Sequence, residues 1–369
     1  MFVPIRAGLL PALAALALLG GCVMPQRPKA PERQPEEVHA QLVQLLPANL
    51  ADRAGWATDM QSAFRLLDIP PSTENLCAAL AVTEQESTYT ADPVVPGLAK
   101  IARAEIDRRA AKLKVPQLLV RTVLKMKSPD GRSYAARLEK VRTEKELSRI
   151  FEDFIGEVPL GRQLFGRANP VHTGGPMQVS IAFAEKHARE HGYPYETTDS
   201  IRHEVFTRRG GMYFGIAHLL GYDNSYDRHL YRYADFNAGW YASRNAAFQA
   251  AVTAASGIKL ALDGDLVRSD GKVGATEAAV RTLGLQLDIA DAAIRRALEQ
   301  GRRHAFERTE LYERVFDMAE RRQGRALPRA VMPRIDLKSP KITRKLTTEW
   351  FATRVQQRYQ RCVNKALGV

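Results

Sequence analysis

Residues 81–93 read AVTEQESTYTADP, with two carboxylates, Glu84 and Glu86, near the end of an alanine-rich helical run. A carboxyl group can deliver a proton near neutral pH only if its pKa is raised. An apolar setting and the negative end of a helix dipole both raise it. Glu86 follows Val82 by four residues and Ala79 by seven, so its helical neighbours are apolar. Glu84 lies over Leu80 and Cys77, so periodicity does not separate the two. A surface glutamate also needs no chemical role at all. The run TENLCAALAVTEQES that carries both residues predicts a helix, with Ser72 or Thr73 as its N-cap.

The ending Gln85-Glu86-Ser87, followed by the aromatic Tyr89, resembles the catalytic helix of lytic transglycosylases and goose-type lysozymes. Two further motifs follow in that family's order. GGPMQVSIAFAEKHA (174–188) is similar to its Gly-Leu-Met-Gln segment, with Gly175, Met177 and Gln178 matching and Pro176 in place of leucine. YADFNAGWYASRNAAF is similar to its Ala-Tyr-Asn-Ala-Gly motif, with Asn237, Ala238 and Gly239 matching and Phe236 in place of tyrosine. Between them, GGMYFGIAHLL resembles the helix that sets a tyrosine, here Tyr213, near the cleft. The resemblance covers roughly residues 70–255 and departs at one point. Glu86 and Gly175 are 89 residues apart, far more than the family puts there, which makes about 98–172 a helical insertion. As a whole, the chain resembles a family of proteobacterial lipoproteins whose domain has no assigned function.

The resemblance implies a mainly α, lysozyme-like fold with a helical insertion and a helical C-terminal extension. It also implies cleavage of peptidoglycan glycan strands at the MurNAc-GlcNAc β-1,4 bond. Many glycosidases use two carboxylates, whereas the resembled lytic enzymes use one. In that scheme Glu86 protonates the leaving oxygen, then takes the proton of the muramic acid 6-hydroxyl as an anhydro ring closes. Ser87, Met177, Gln178, Tyr213 and Asn237 take substrate-side positions, with Met177 favoured as packing. A hydrolytic outcome would benefit from a second carboxylate, for which Asp92, Asp199, Glu204 and Asp235 are the candidates; turn, cap or surface roles suit each better. The alternative is a non-catalytic lipoprotein that binds peptidoglycan or scaffolds envelope proteins. No cofactor is expected.

The N-terminus, MFVPIRAGLLPALAALALLGGCVMPQ, has one arginine, a short apolar run from Ala7 to Leu19, two glycines and Cys22. That run is too short for an ordinary membrane span and has the layout of a secretory signal. Leu19-Gly20-Gly21-Cys22 resembles the bacterial lipoprotein signal, with residues 1–21 removed and Cys22 acylated; Val23 after it implies outer-membrane sorting, facing the periplasm. Residues 22–38, with four prolines from Pro25 to Pro35, predict an extended tether. Export leaves Cys77 and Cys362 in an oxidising compartment. Phe351, Val355, Tyr359 and Cys362 fall close to one helical face, so Cys362 should point inward and pair with Cys77.

Beyond Val38 the chain reads as helical, with 39–255 the lysozyme-like domain and 256–369 the C-terminal extension packed on it. The boundary falls at Ala255-Ser256-Gly257, before the turn-rich LALDGDLVRSDGKVG. A net charge of +13 suits an anionic partner such as the carboxylate-bearing stem peptides of peptidoglycan. No nucleic-acid motif accompanies it. HAREH (187–191) puts two histidines on one face without a third ligand, so no metal site is expected. His203-Glu204 lacks the second histidine of a zinc protease motif, and GKVGATEAAVRTL reads as an ordinary helix start.

Overall fold

A computed structural model describes residues 33–157, 168–197, 199–337 and 345–369. The signal segment and Cys22 lie outside the described residues. The protein is mainly helical, and strand pairing among the described residues is limited to two short antiparallel ladders.

The tether expected to reach Val38 ends sooner, because helix α1 (Pro35–Leu45) starts at Pro35. Proline is tolerated at the first helical position, where its missing N–H has no partner to lose, and Val38 and Leu42 are already buried. Helices α2 (Arg53–Leu66) and α3 (Thr73–Ser87) follow. Ser72 caps α3, accepting from the Asn75 N–H. Every residue from Leu76 to Thr83 is buried, so α3 is a core helix enclosed on all sides.

The segment expected to be an insertion carries α4 (Leu98–Lys112), α5 (Gln117–Leu124), α6 (Tyr134–Lys140) and α7 (Glu144–Gly156), the last started by a capping box between Thr143 and Glu146. A two-residue ladder, β1 (Thr173–Gly174) with β2 (Val179–Ser180), then leads into α8 (Ile181–His191). Short α9 (Ile201–Val205), α10 (Arg208–Leu220) and α11 (His229–Ala238) complete the first core.

Helix α12 (Ala242–Ser256) ends at Gly257 in a left-handed conformation, where the glycine signal put it. From Ala247 the same helix belongs to a second core, built with α13 (Ala275–Arg281), α14 (Gly284–Leu287), α15 (Asp291–Glu299) and α16 (Glu310–Gln323). That core ends near Val331. The ladder β3 (Asp336–Leu337) with β4 (Leu346–Thr347) precedes α17 (Thr348–Leu367), which returns to the first core through Phe351, Ala352 and Val355. The expected unit 256–369 is therefore not one extension. Its last helix packs on α3 and α11 because its apolar stripe fits there. Cys77 is bonded to Cys362 across this interface, with Cα atoms 5.5 Å apart. No helix among the described residues is long and apolar enough to cross a membrane.

Candidate functional site

Glu84 and Glu86 lie on different faces of α3, and α17 supplies the partners of Glu84. Glu84 accepts a hydrogen bond from Arg361 at 3.2 Å and pairs with Arg358 at 3.4 Å. It thus occupies the face that also carries the Cys77–Cys362 bond. Glu86 lies about 200° round the helix from Glu84, at roughly 100° per residue. Its face is that of Thr83, three residues earlier. Thr83 is fully buried and its hydroxyl lies 3.6 Å from the Met212 sulfur of α10. Glu86 is half-buried. Because the Glu84 pairs are partly exposed, Glu84→Gln should shift unfolding free energy by less than about 1 kcal/mol in a urea titration.

Helix α3 stops abruptly after this pair. Thr88 and Tyr89 both take positive φ, at 50° and 59°, a costly arrangement for non-glycine residues. Three contacts hold it. The Ser87 hydroxyl donates to the Thr83 carbonyl and accepts from the Thr90 N–H, and the buried Tyr89 hydroxyl donates to the Leu80 carbonyl. Ser87, expected on the substrate side, is instead engaged in closing the helix, since both its bonds go to backbone.

Helix α10 is the strut that the other motif segments share. Its Gly211 and Gly215 let the 174–178 turn approach: a methyl group at Gly215 would come within 2.4 Å of the Met177 sulfur. Gly175 itself has φ +74°, and a methyl group there would meet the Val205 carbonyl oxygen. Met177 is fully buried, so it packs rather than touching a ligand. Gln178 remains half-exposed with φ 47°; its amide donates to the Gly175 carbonyl and its oxygen accepts from Thr173. Tyr213 also departs from the expected cleft position. It is 3% exposed, enclosed by the rings of Tyr193, Tyr195, Phe214 and His187, and burial pushes its phenol pKa up.

Asn237 is exposed at the end of α11, where its side-chain oxygen accepts from the Thr348 hydroxyl of α17. The preceding Phe236 packs on His218 of α10, ring centres 4.9 Å apart. Trp240 donates to the His218 carbonyl at 2.7 Å and lies against Tyr222 and Phe183. Burial drives the His218 imidazole down to about 4, keeping it neutral. Glu86, Gln178 and Asn237 are among the motif residues with side chains at least partly open to solvent, as are Gln85 and Ser87.

The residue that the sequence reading undervalued is Asp235. It is wholly buried and accepts from the Tyr222 and Tyr226 hydroxyls and from the Tyr241 and Ser243 N–H groups. Burial raises its pKa while these donors pull the other way. It fixes the turn that presents Asn237. Asp235→Ala would strand four donors and is expected to cost at least about 3 kcal/mol, read as a lower urea midpoint. Its place in an aromatic-rich run, from Tyr222 to Tyr241, was the available clue.

The other carboxylate candidates are engaged as well. Glu204 is buried and accepts from the Tyr193 hydroxyl at 2.7 Å. Asp199 contacts His203 and Arg149. Asp92 is half-buried beside Thr143, with burial raising its pKa. The His187 and His191 rings lie 4.6 Å apart, and among the described residues no group of three or more potential metal ligands occurs.

Comparison with known proteins places these observations in a family. No solved structure matches the chain. It is 54% identical over 357 residues to the uncharacterized protein YaiW of Escherichia coli (strain K12), a match covering 96% of this chain and 97% of that one. The family described as "Protein of unknown function (DUF1615)" matches residues 49–365. With both cores lying largely inside that match, the chain belongs to the DUF1615 family.

Proposed function

We propose that this protein is an outer-membrane-anchored periplasmic lipoprotein that cleaves peptidoglycan glycan strands, using Glu86 as the single acid–base group of a lytic transglycosylase within a lysozyme-like domain. The observation that carries this reading is the position of Glu86 on α3. It is half-buried one turn after Thr83, whose hydroxyl meets Met212 of α10, the helix against which the Gly175–Gln178 turn is also packed, whereas Glu84 lies on the face that pairs with Arg358 and Arg361 of α17. Gln178 and Asn237 supply amide groups suited to sugar hydroxyls and acetamides. The net charge of +13 favours a polymer bearing carboxylates. The order of the three motifs supports the same fold assignment.

A second reading, a peptidoglycan-binding scaffold without catalysis, draws on Tyr213 and Met177. Both are buried, Tyr213 where a contact surface was expected, and Phe236 lacks the hydroxyl of the resembled motif. Binding to sacculi fits both readings and separates nothing. Digestion does separate them. Purified sacculi incubated with the protein across pH should release anhydro-muropeptides under the first reading and none under the second. New reducing ends in their place would mean a lysozyme.

A further inference from the structure

The insertion carries a feature that glycan chemistry does not use. Helices α4–α7 enclose an open cavity of about 300 Å³ lined by apolar side chains, including Val120, Leu124, Leu147, Ile150 and Phe154. That is roughly twice the ~150 Å³ apolar cavity that stays dry and takes up benzene. Leu119 lines the cavity yet is 52% exposed, so it stands at the mouth. Around it in sequence, Leu113, Leu118 and Met126 are also exposed. Four of the ten large apolar side chains exposed among the described residues therefore fall within 14 positions, a concentration that marks an interaction surface.

The charges on this segment are all of one sign. Lys112, Lys114, Arg121, Lys125 and Lys127 are exposed, and no acidic residue occurs from Arg108 to Pro129. None of the five pairs with an acid among the described residues, whereas the nearby Glu105 and Asp130 are held by arginines. A second copy of this chain would bring like charge to like. Nucleic acid would not use a dry apolar cavity. An anionic amphiphile satisfies both halves of the surface, as basic segments with exposed leucines do at membrane interfaces.

We propose that α4–α7 form a binding site for one anionic phospholipid, its acyl chain in the cavity and its phosphate on the basic rim made by Arg121 of α5 and the lysines that flank this helix. This site shares no residue with the proposed glycan chemistry and does not rest on it. The test is native mass spectrometry of the full-length protein with 1-oleoyl lysophosphatidylglycerol or the matching lysophosphatidylcholine. A saturable one-to-one adduct is expected with the first and weaker binding, by about tenfold or more, with the second. Lys114→Glu with Lys125→Glu, both at exposed positions, should weaken the anionic adduct by about tenfold while leaving the thermal midpoint unchanged. Val123→Trp, which puts a large ring at another residue of the cavity lining, should abolish it. Equal binding of the two headgroups, the absence of a saturable adduct, adducts unmoved by both variants, or a dimer that loses its contact on Lys114→Glu would each overturn the proposal.

Discussion

Glu86→Gln is expected to lower anhydro-muropeptide release from purified sacculi by about 10³-fold, the usual scale of lost general acid–base catalysis. Glutamine keeps the volume and the hydrogen-bonding reach of the side chain, so the loss isolates the proton. In the proposed mechanism one carboxylate serves as acid and then as base, so no second group can take over either step. The neighbouring change gives the control. Glu84→Gln removes an equal charge two residues away, on the face pinned by Arg358 and Arg361, and should leave release within about twofold, since pairs this exposed contribute little. The measurement is chromatographic quantitation of anhydro products against time. Equal activity of wild type and Glu86→Gln would remove Glu86 from the chemistry, and equal loss in both variants would point to helix damage.

Breaking the Cys77–Cys362 bond should produce the largest change in stability. The two cysteines are separated by 285 positions, and closure of so long a loop is worth about 5 kcal/mol in the chain-entropy account. Cys77→Ala with Cys362→Ala should therefore lower the thermal midpoint by roughly 10 °C. Reductant should act on the wild type in the same direction and leave the double variant unaffected. Before either experiment, thiol alkylation under denaturing conditions without reductant should leave the mass of the residues around both cysteines unchanged. Two added alkyl groups would show that the bond is absent in the protein as made.

What was legible in the sequence follows from the physics of each signal. Helix α3, a cap at Ser72 or Thr73 and the stop at Gly257 were readable because capping and glycine chemistry act within a few residues, and Ser72 is the cap. The inward face of α17 was readable from the spacing of Phe351, Val355 and Cys362, and that made the disulfide foreseeable. The pairing of Glu84 was not, because its partners Arg358 and Arg361 lie some 270 positions away. The burial of Tyr213 escaped for the same reason: its ring neighbours arrive from α8, the Tyr193–Tyr195 segment and α10 itself. Pro35 was assigned to the spacer on composition, although a first helical turn accepts proline equally well. The apolar cavity of the insertion left only a faint trace, since its lining is drawn from α4 to α7 and Pro170.

The return of α17 to α3 also constrains how the molecule can be made. Synthesis delivers Cys77 early and Phe351, Ala352 and Val355 last. Until those residues emerge, one flank of the helix bearing Glu86 has no cover. A nascent or proteolytically shortened chain that lacks α17 should therefore be prone to aggregation, with the apolar side chains of α3 and α11 left uncovered. Long-range closure of this kind is also slow, so the unfinished product is exposed to chaperones and proteases for longer than a chain that folds as it grows.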